Sequence, residues 1–79
     1  MPATVDEVKQ VISEEFPESD VAGIIEEGHR IGGTFFWPKF KGMDFSERNR
    51  LVTRRVRDRL GLHGINIGFL FPLAPGEKL

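Results

Sequence analysis

Apolar positions repeat at helical intervals in two stretches of the chain and at every second position in another, and the changes of spacing divide it into elements. Val5, Val8, Val11, Ile12 and Phe16 recur at helical spacing. Thr4-Val5-Asp6-Glu7 has the form of a capping box, a Thr hydroxyl for the Glu7 amide and a Glu side chain returning to Thr4. Pro17 cannot continue the run, so the spacing predicts a first helix over 4–16. The segment from Ser19 to Glu27 is short, partly β-branched and bounded by turn formers, which predicts a strand over 20–26. A turn at Glu27-Gly28-His29-Arg30 leads into a second strand over 31–40. Its adjacent glycines, Gly32 and Gly33, imply a bulge or a close backbone approach. Pro38 ends that strand or places it at an edge.

After a loop at Lys41-Gly42-Met43, Asp44-Phe45-Ser46-Glu47 repeats the capping signature. The helix it opens is predicted over 45–60 and stops at Gly61; the sequence allows one helix or two short ones. At about 100° per residue, Phe45, Asn49, Val52, Val56 and Leu60 share one face, assigned to the core. Ile65, Ile67, Phe69 and Phe71 alternate, which predicts a half-buried strand with that set inward, ended by Pro72. A loose tail is predicted over 73–79. A helix lies before the last strand, so that strand joins the sheet by a crossover and not by a hairpin. The predicted class is α+β, a small three-stranded mixed sheet with the helices packed on one face, in the order α-β-β-α(-α)-β.

Composition narrows the function. Seventy-nine residues make one domain, 1–79, and enzymes this small are uncommon. Ile, Leu, Val and Phe supply 25 residues, enough to hold a core. No cysteine is present. That excludes a disulfide framework, a thiolate zinc site, a self-ligated all-cysteine iron–sulfur cluster and a cysteine nucleophile. No apolar run reaches the roughly 20 residues of a membrane span, and the acidic, amphipathic N-terminal segment is not a secretory signal. A cytoplasmic setting is therefore expected, with no membrane partner. The formal net charge of −1 hides an asymmetry. Residues 1–30 carry eight acids and two bases, whereas residues 31–60 carry eight bases and three acids. Such a split makes either a basic face for an anionic partner or two surfaces that attract each other.

The chemistry-bearing residues are few. Arg50, Arg54 and Arg57 fall within a sector of about 60° on the second helix, opposite the core face, with Arg48, Arg55 and Arg59 along one flank. Guanidiniums in that array suit phosphates; a solvated face answered by the acidic first helix explains them equally. Gly61-Leu62-His63-Gly64 has the GxxG form of a nucleic-acid clamp, but it joins a helix to a strand and reads as a helix stop. His29 in the strand–strand turn and His63 before the last strand are the only imidazoles. Each is either plain surface or part of a site completed by another protein. No metallohydrolase spacing and no Ser–His–Asp arrangement is legible. Phe35, Phe36 and Trp37 put aromatics on both faces of one strand, so either both faces pack or one stays open as a contact surface, with Trp37 exposed there.

Phe40-Lys41-Gly42-Met43-Asp44-Phe45-Ser46-Glu47-Arg48-Asn49-Arg50-Leu51-Val52 resembles the central signature of the BolA family, Phe-x-Gly, a short spacer, then Arg-His-Arg-x-Val. Leu62-His63-Gly64-Ile65-Asn66-Ile67 is similar to the family's His-Ala-Leu-x-Ile segment at the start of its final strand. Asn49 stands where the family has His, Gly64 replaces the usual Ala, and the short strand–strand loop has no Cys. The resemblance implies an α-β-β-α-α-β fold and a non-enzymatic adaptor that pairs with a monothiol glutaredoxin in iron–sulfur trafficking. The pair would share a [2Fe-2S] cluster, with His63 as first ligand from this chain and His29 as second, and with cysteine and glutathione from the partner. The isolated chain would bind no cofactor. The resemblance also implies, as an alternative, a DNA-binding regulator of transcription, for which Arg48, Arg50, Arg54, Arg55 and Arg57 would be the contacts.

Overall fold

A computed structural model describes residues 2–78. Helix α1 spans Val5–Glu15 and α2 spans Phe45–Leu60; strands β1, β2 and β3 span Ile24–Glu27, Arg30–Phe36 and Ile67–Leu73. Short 3-10 segments cover Pro38–Phe40 and Gly61–Asn66. Both helices begin where the capping residues predict. The Thr4 hydroxyl accepts the Glu7 amide at 3.1 Å while the Glu7 carboxylate accepts the Thr4 amide at 3.0 Å. Asp44 accepts the Glu47 amide at 2.8 Å. The second helix is one piece and not two short ones, and a 3-10 segment, Gly61–Asn66, follows it.

The sheet has the order β1-β2-β3, with β1 antiparallel and β3 parallel to β2. Together with the two helices this is the predicted α+β mixed-sheet architecture. The helices cover the face that carries Ile24, Ile31 and Phe35, each no more than 1 % exposed. Val8, Val11 and Ile12 of α1 and Val52, Val56 and Leu60 of α2 close over that face. Phe16, Phe35, Trp37 and Phe40 form one aromatic cluster, with Phe16 edge-on to Trp37 at 4.9 Å between centroids. Edge-to-face contact suits the ring quadrupoles, and the Trp37 indole donates to the Pro17 carbonyl at 2.9 Å. Trp37 is therefore core, and the reading that left it exposed is wrong.

Close packing of backbone explains the adjacent glycines. A Cβ on Gly32 would meet the Phe69 carbonyl oxygen at 2.6 Å, and Gly33 takes φ 124° where β2 passes Gly23. Opposite them, Ile31 pairs with Ile67 but Gly33 pairs with Leu70, so β3 carries one extra residue. That bulge shifts the side-chain phase of β3 by one position. Ile67 and Leu70 both pack against the core, and Phe69 and Phe71 turn outward. The strict alternation predicted for this strand thus put Phe69 and Phe71 on the wrong face. Ile65 lies before the strand and is 80 % exposed. Pro72 lies inside β3 rather than ending it, and its ring is buried.

The tail is anchored rather than loose. Ala74 is buried, and the Glu77 carboxylate accepts the Ala74 amide at 2.7 Å and the Arg48 guanidinium at 2.6 Å. Leu79, the last residue of that predicted tail, lies outside the described residues.

Candidate functional site

Parallel pairing of β2 and β3 determines where the histidines lie. Glu27 pairs with Arg30, leaving Gly28 and His29 as a two-residue turn, and Gly28 takes the φ of 65° that such a turn requires. β2 begins directly after His29. The segment holding His63 leads into Ile67, which pairs with Ile31 at the start of β2. Both exposed imidazole residues therefore belong to connections at one end of the sheet. Among the described residues no three His, Asp or Glu side chains gather into a metal-binding group.

The His63 segment is held by the chain's first described residues. The Ala3 amide donates to the His63 carbonyl at 2.6 Å. The Asn66 side chain clamps the same residue from both sides, its Nδ2 donating to the Ala3 carbonyl at 2.9 Å and its Oδ1 accepting the Ala3 amide at 3.2 Å. Ala3 is buried, so this clamp ties the segment to the body of the fold. Leu62 and Ile65, on either side of His63, are 89 % and 80 % exposed. Two large apolar side chains thus stand in solvent in the segment that carries His63. The sequence reading missed Asn66, whose only local signal is a polar residue within an otherwise apolar stretch.

The arginines of α2 divide into three sets. Arg48 is 3 % exposed and takes the core position expected for Asn49, which is exposed. Its Nε donates to the Met43 carbonyl at 3.0 Å, and Nη1 donates to the Pro72 carbonyl at 3.1 Å. The two guanidinium nitrogens hold the two Glu77 oxygens at 2.6 and 3.1 Å. The guanidinium also lies 4.8 Å from the centroid of the Phe45 ring, which is half-exposed over it and not in the core. Arg48 is therefore a structural residue and is removed from the proposed nucleic-acid contacts. The guanidinium, with help from the Ala74 amide, holds the Glu77 carboxyl down at about 2.

Arg55 and Arg59 face α1. Arg55 donates to the Glu15 carbonyl at 3.2 Å, and Arg59 bonds both Glu14 and Glu15. The Arg59 bond lowers the Glu14 pKa. Part of the basic helix is thus answered by the acidic one. Arg50, Arg54 and Arg57 form the third set; they are exposed, and among the described residues none has an ion-pair partner.

No helix among the described residues is long and apolar enough to cross a membrane. No family model matches the chain, and no curated protein matches it. Among solved structures, a BolA protein homologue from Coxiella burnetii is similar at 25 % identity, over 92 % of this chain and 92 % of that one, with a TM-score of 0.70. Element order and coverage together make the fold of this chain BolA-like, in keeping with the resemblance carried by the segments around Arg48 and His63.

Proposed function

We propose that the chain is a non-enzymatic adaptor that pairs with a monothiol glutaredoxin and shares or passes on a [2Fe-2S] cluster as cargo. The observation that carries this reading is the placement of exposed His29 and His63 at one end of the sheet by the parallel β2–β3 ladder. Imidazole nitrogen is a known replacement for thiolate on one iron of such a cluster. A chain without cysteine needs its thiolate ligands from another protein. Exposed Leu62 and Ile65 offer that protein an apolar contact beside His63. In this reading His63 and His29 hold the cluster from this side, and the Ala3–Asn66 clamp fixes the segment that carries His63.

The test mixes the protein with a monothiol glutaredoxin, glutathione, iron and sulfide and records visible circular dichroism. A spectrum distinct from that of the glutaredoxin alone is expected with wild type and lost with His63→Ala. His29→Ala is expected to alter it. An unchanged glutaredoxin-only spectrum with wild type rejects the reading.

Exposed Arg50, Arg54 and Arg57, with no ion-pair partner among the described residues, favour a second reading as a nucleic-acid-binding regulatory module. It predicts affinity that falls steeply with salt and falls further when these three are neutralised. Equal affinity at low and high salt rejects it.

A further inference from the structure

β3 ends the sheet, and among the described residues no strand pairs with its outer edge. The backbone groups of a strand alternate between its two sides. The Leu73 carbonyl accepts the Trp37 amide at 2.9 Å and the Phe69 carbonyl oxygen approaches Gly32, so these positions turn toward β2. Pro72 turns the other way: its carbonyl accepts the Arg48 guanidinium of α2 at 3.1 Å. Leu70 lies two residues before Pro72 and shares its direction, so its N–H and C=O point to the unpaired side. Pro72 has no N–H to leave unpaired there, which is the usual place for a proline in an edge strand.

That side opens into a groove of about 430 Å³ between β3 and α2. Four consecutive residues of β3, from Ile67 to Leu70, line it, so the groove follows the edge of the strand and not one of its faces. The other wall is the flank of α2 that carries Asn49, Thr53 and Arg57, beside Val52 and Val56. Asn49 to Arg57 covers about 12 Å of helix and Ile67 to Leu70 about 10 Å of strand, room for about three or four extended residues. The two edges of the sheet are guarded differently. β1 has four residues and exposed Glu26 and Glu27, whereas β3 has seven and no charged side chain. An edge without charge is a template for another strand. The one charged side chain that lines the groove is Arg57, which has no ion-pair partner among the described residues.

We propose that this groove takes an extended acidic peptide segment of another protein, which adds a fourth strand to the sheet along β3. Main-chain bonds to Leu70 give affinity, and alternate side chains of the guest face α2 and give specificity. Apolar ones pack on Val52 and Val56, and a carboxylate meets the Arg57 guanidinium. That cation selects the occupant. A second copy paired through its own β3 brings no carboxylate on that strand. The proposal rests on neither reading above and shares only Arg57 with the second.

Labelled hexapeptides in which threonines alternate with two valines and a glutamate test this, one with the glutamate near each end, by fluorescence anisotropy and by hydrogen exchange of the Leu70 amide. The tighter of the two gives the direction of the added strand. It is expected to bind at least about tenfold more tightly than its counterpart with lysine for glutamate, and Arg57→Gln should bring the two within about twofold. Arg57 is exposed, so circular dichroism of that variant should match wild type. Methylation of the peptide's backbone amides should abolish binding. Saturating peptide should slow exchange of the Leu70 amide by at least about tenfold. No binding of either acidic peptide at about 1 mM overturns the proposal. So does equal affinity for the lysine peptide, or binding that leaves Leu70 exchange unchanged. If a dT oligonucleotide protects Leu70 and the peptides do not, the groove is a nucleic-acid site. If protection rises with protein concentration alone, a second copy fills it. Either result overturns the proposal.

Discussion

Arg48 and Arg54 lie on the same helix less than two turns apart, yet one is buried among aromatic rings and the other stands in solvent with no ion-pair partner among the described residues. The difference is position relative to the core. Residue 48 falls on the stripe of Val52, Val56 and Leu60, and the chain brings Glu77, the Pro72 carbonyl and the Met43 carbonyl to receive it. Position 54 falls on the far side. A motif that counts arginines treats the two alike; burial separates a residue that holds the fold from one available to a partner.

The largest expected effect tests that separation directly. Arg48→Ala should lower the free energy of unfolding by roughly 3 kcal/mol, since it strands buried carbonyls and strips packing from Phe40 and Phe45. Arg54→Ala should change it by less than about 0.5 kcal/mol. Urea denaturation of both measures the contrast. In a domain of this size such a loss at Arg48 approaches the whole stability, so Arg48→Lys provides a milder form. It keeps the charge, loses the two-pronged bond to Glu77, and should still be clearly less stable than Arg54→Ala. Equal losses at the two positions would show that Arg48 is not a structural residue.

Glu77 sharpens the comparison through pH. Its carboxyl titrates at about 2 in the fold and at the ordinary 4.5 once unfolded. Between those values the unfolded chain binds the extra proton, so stability rises with pH there. The contribution of Glu77 is complete above pH 4.5 and is lost as pH falls toward 2. Wild type should therefore exceed Glu77→Gln in thermal midpoint at pH 7, and the two curves should converge as pH drops through that window. A difference that stays constant from pH 7 to pH 2 would place the contribution of Glu77 in packing and not in its charge.

These contacts also show what a sequence reveals and what it leaves unreadable. Helix limits were legible because they rest on local chemistry: Thr4 with Glu7, Asp44 with Glu47, and Gly61 as a stop. The mixed sheet was legible because a helix before the last strand forces a crossover. The bulge in β3 was not, since the constraint that produces it is the approach of the Phe69 carbonyl to Gly32, 37 residues away in sequence. One inserted residue then reverses a pattern of period two, and Phe69 and Phe71 were assigned inward for that reason. Arg48 was read as surface because charge predicts exposure until a partner is known, and its partner lies 29 residues further on, in a tail that looked loose. The histidines were legible as candidates, but their placement at the same end of the sheet depends on a register that no local motif carries.

The smallest effect belongs to the arginines between these extremes. Arg59 joins Glu14 and Glu15 across the two helices at the molecular surface. Such a pair competes with solvent and with ions, so its influence is confined to low ionic strength. Arg59→Gln should lower the thermal midpoint slightly in dilute buffer. In about 1 M NaCl the screening length falls to about 3 Å, and the difference should vanish. Arg48→Lys should keep most of its deficit under the same salt, because the Arg48 guanidinium is buried and two of its partners are main-chain carbonyls. A loss at Arg59 that survived 1 M NaCl would mean that the interhelix pair is also part of the packed structure. The acidic helix would then fix the orientation of α2, and with it the direction in which Arg50, Arg54 and Arg57 present themselves.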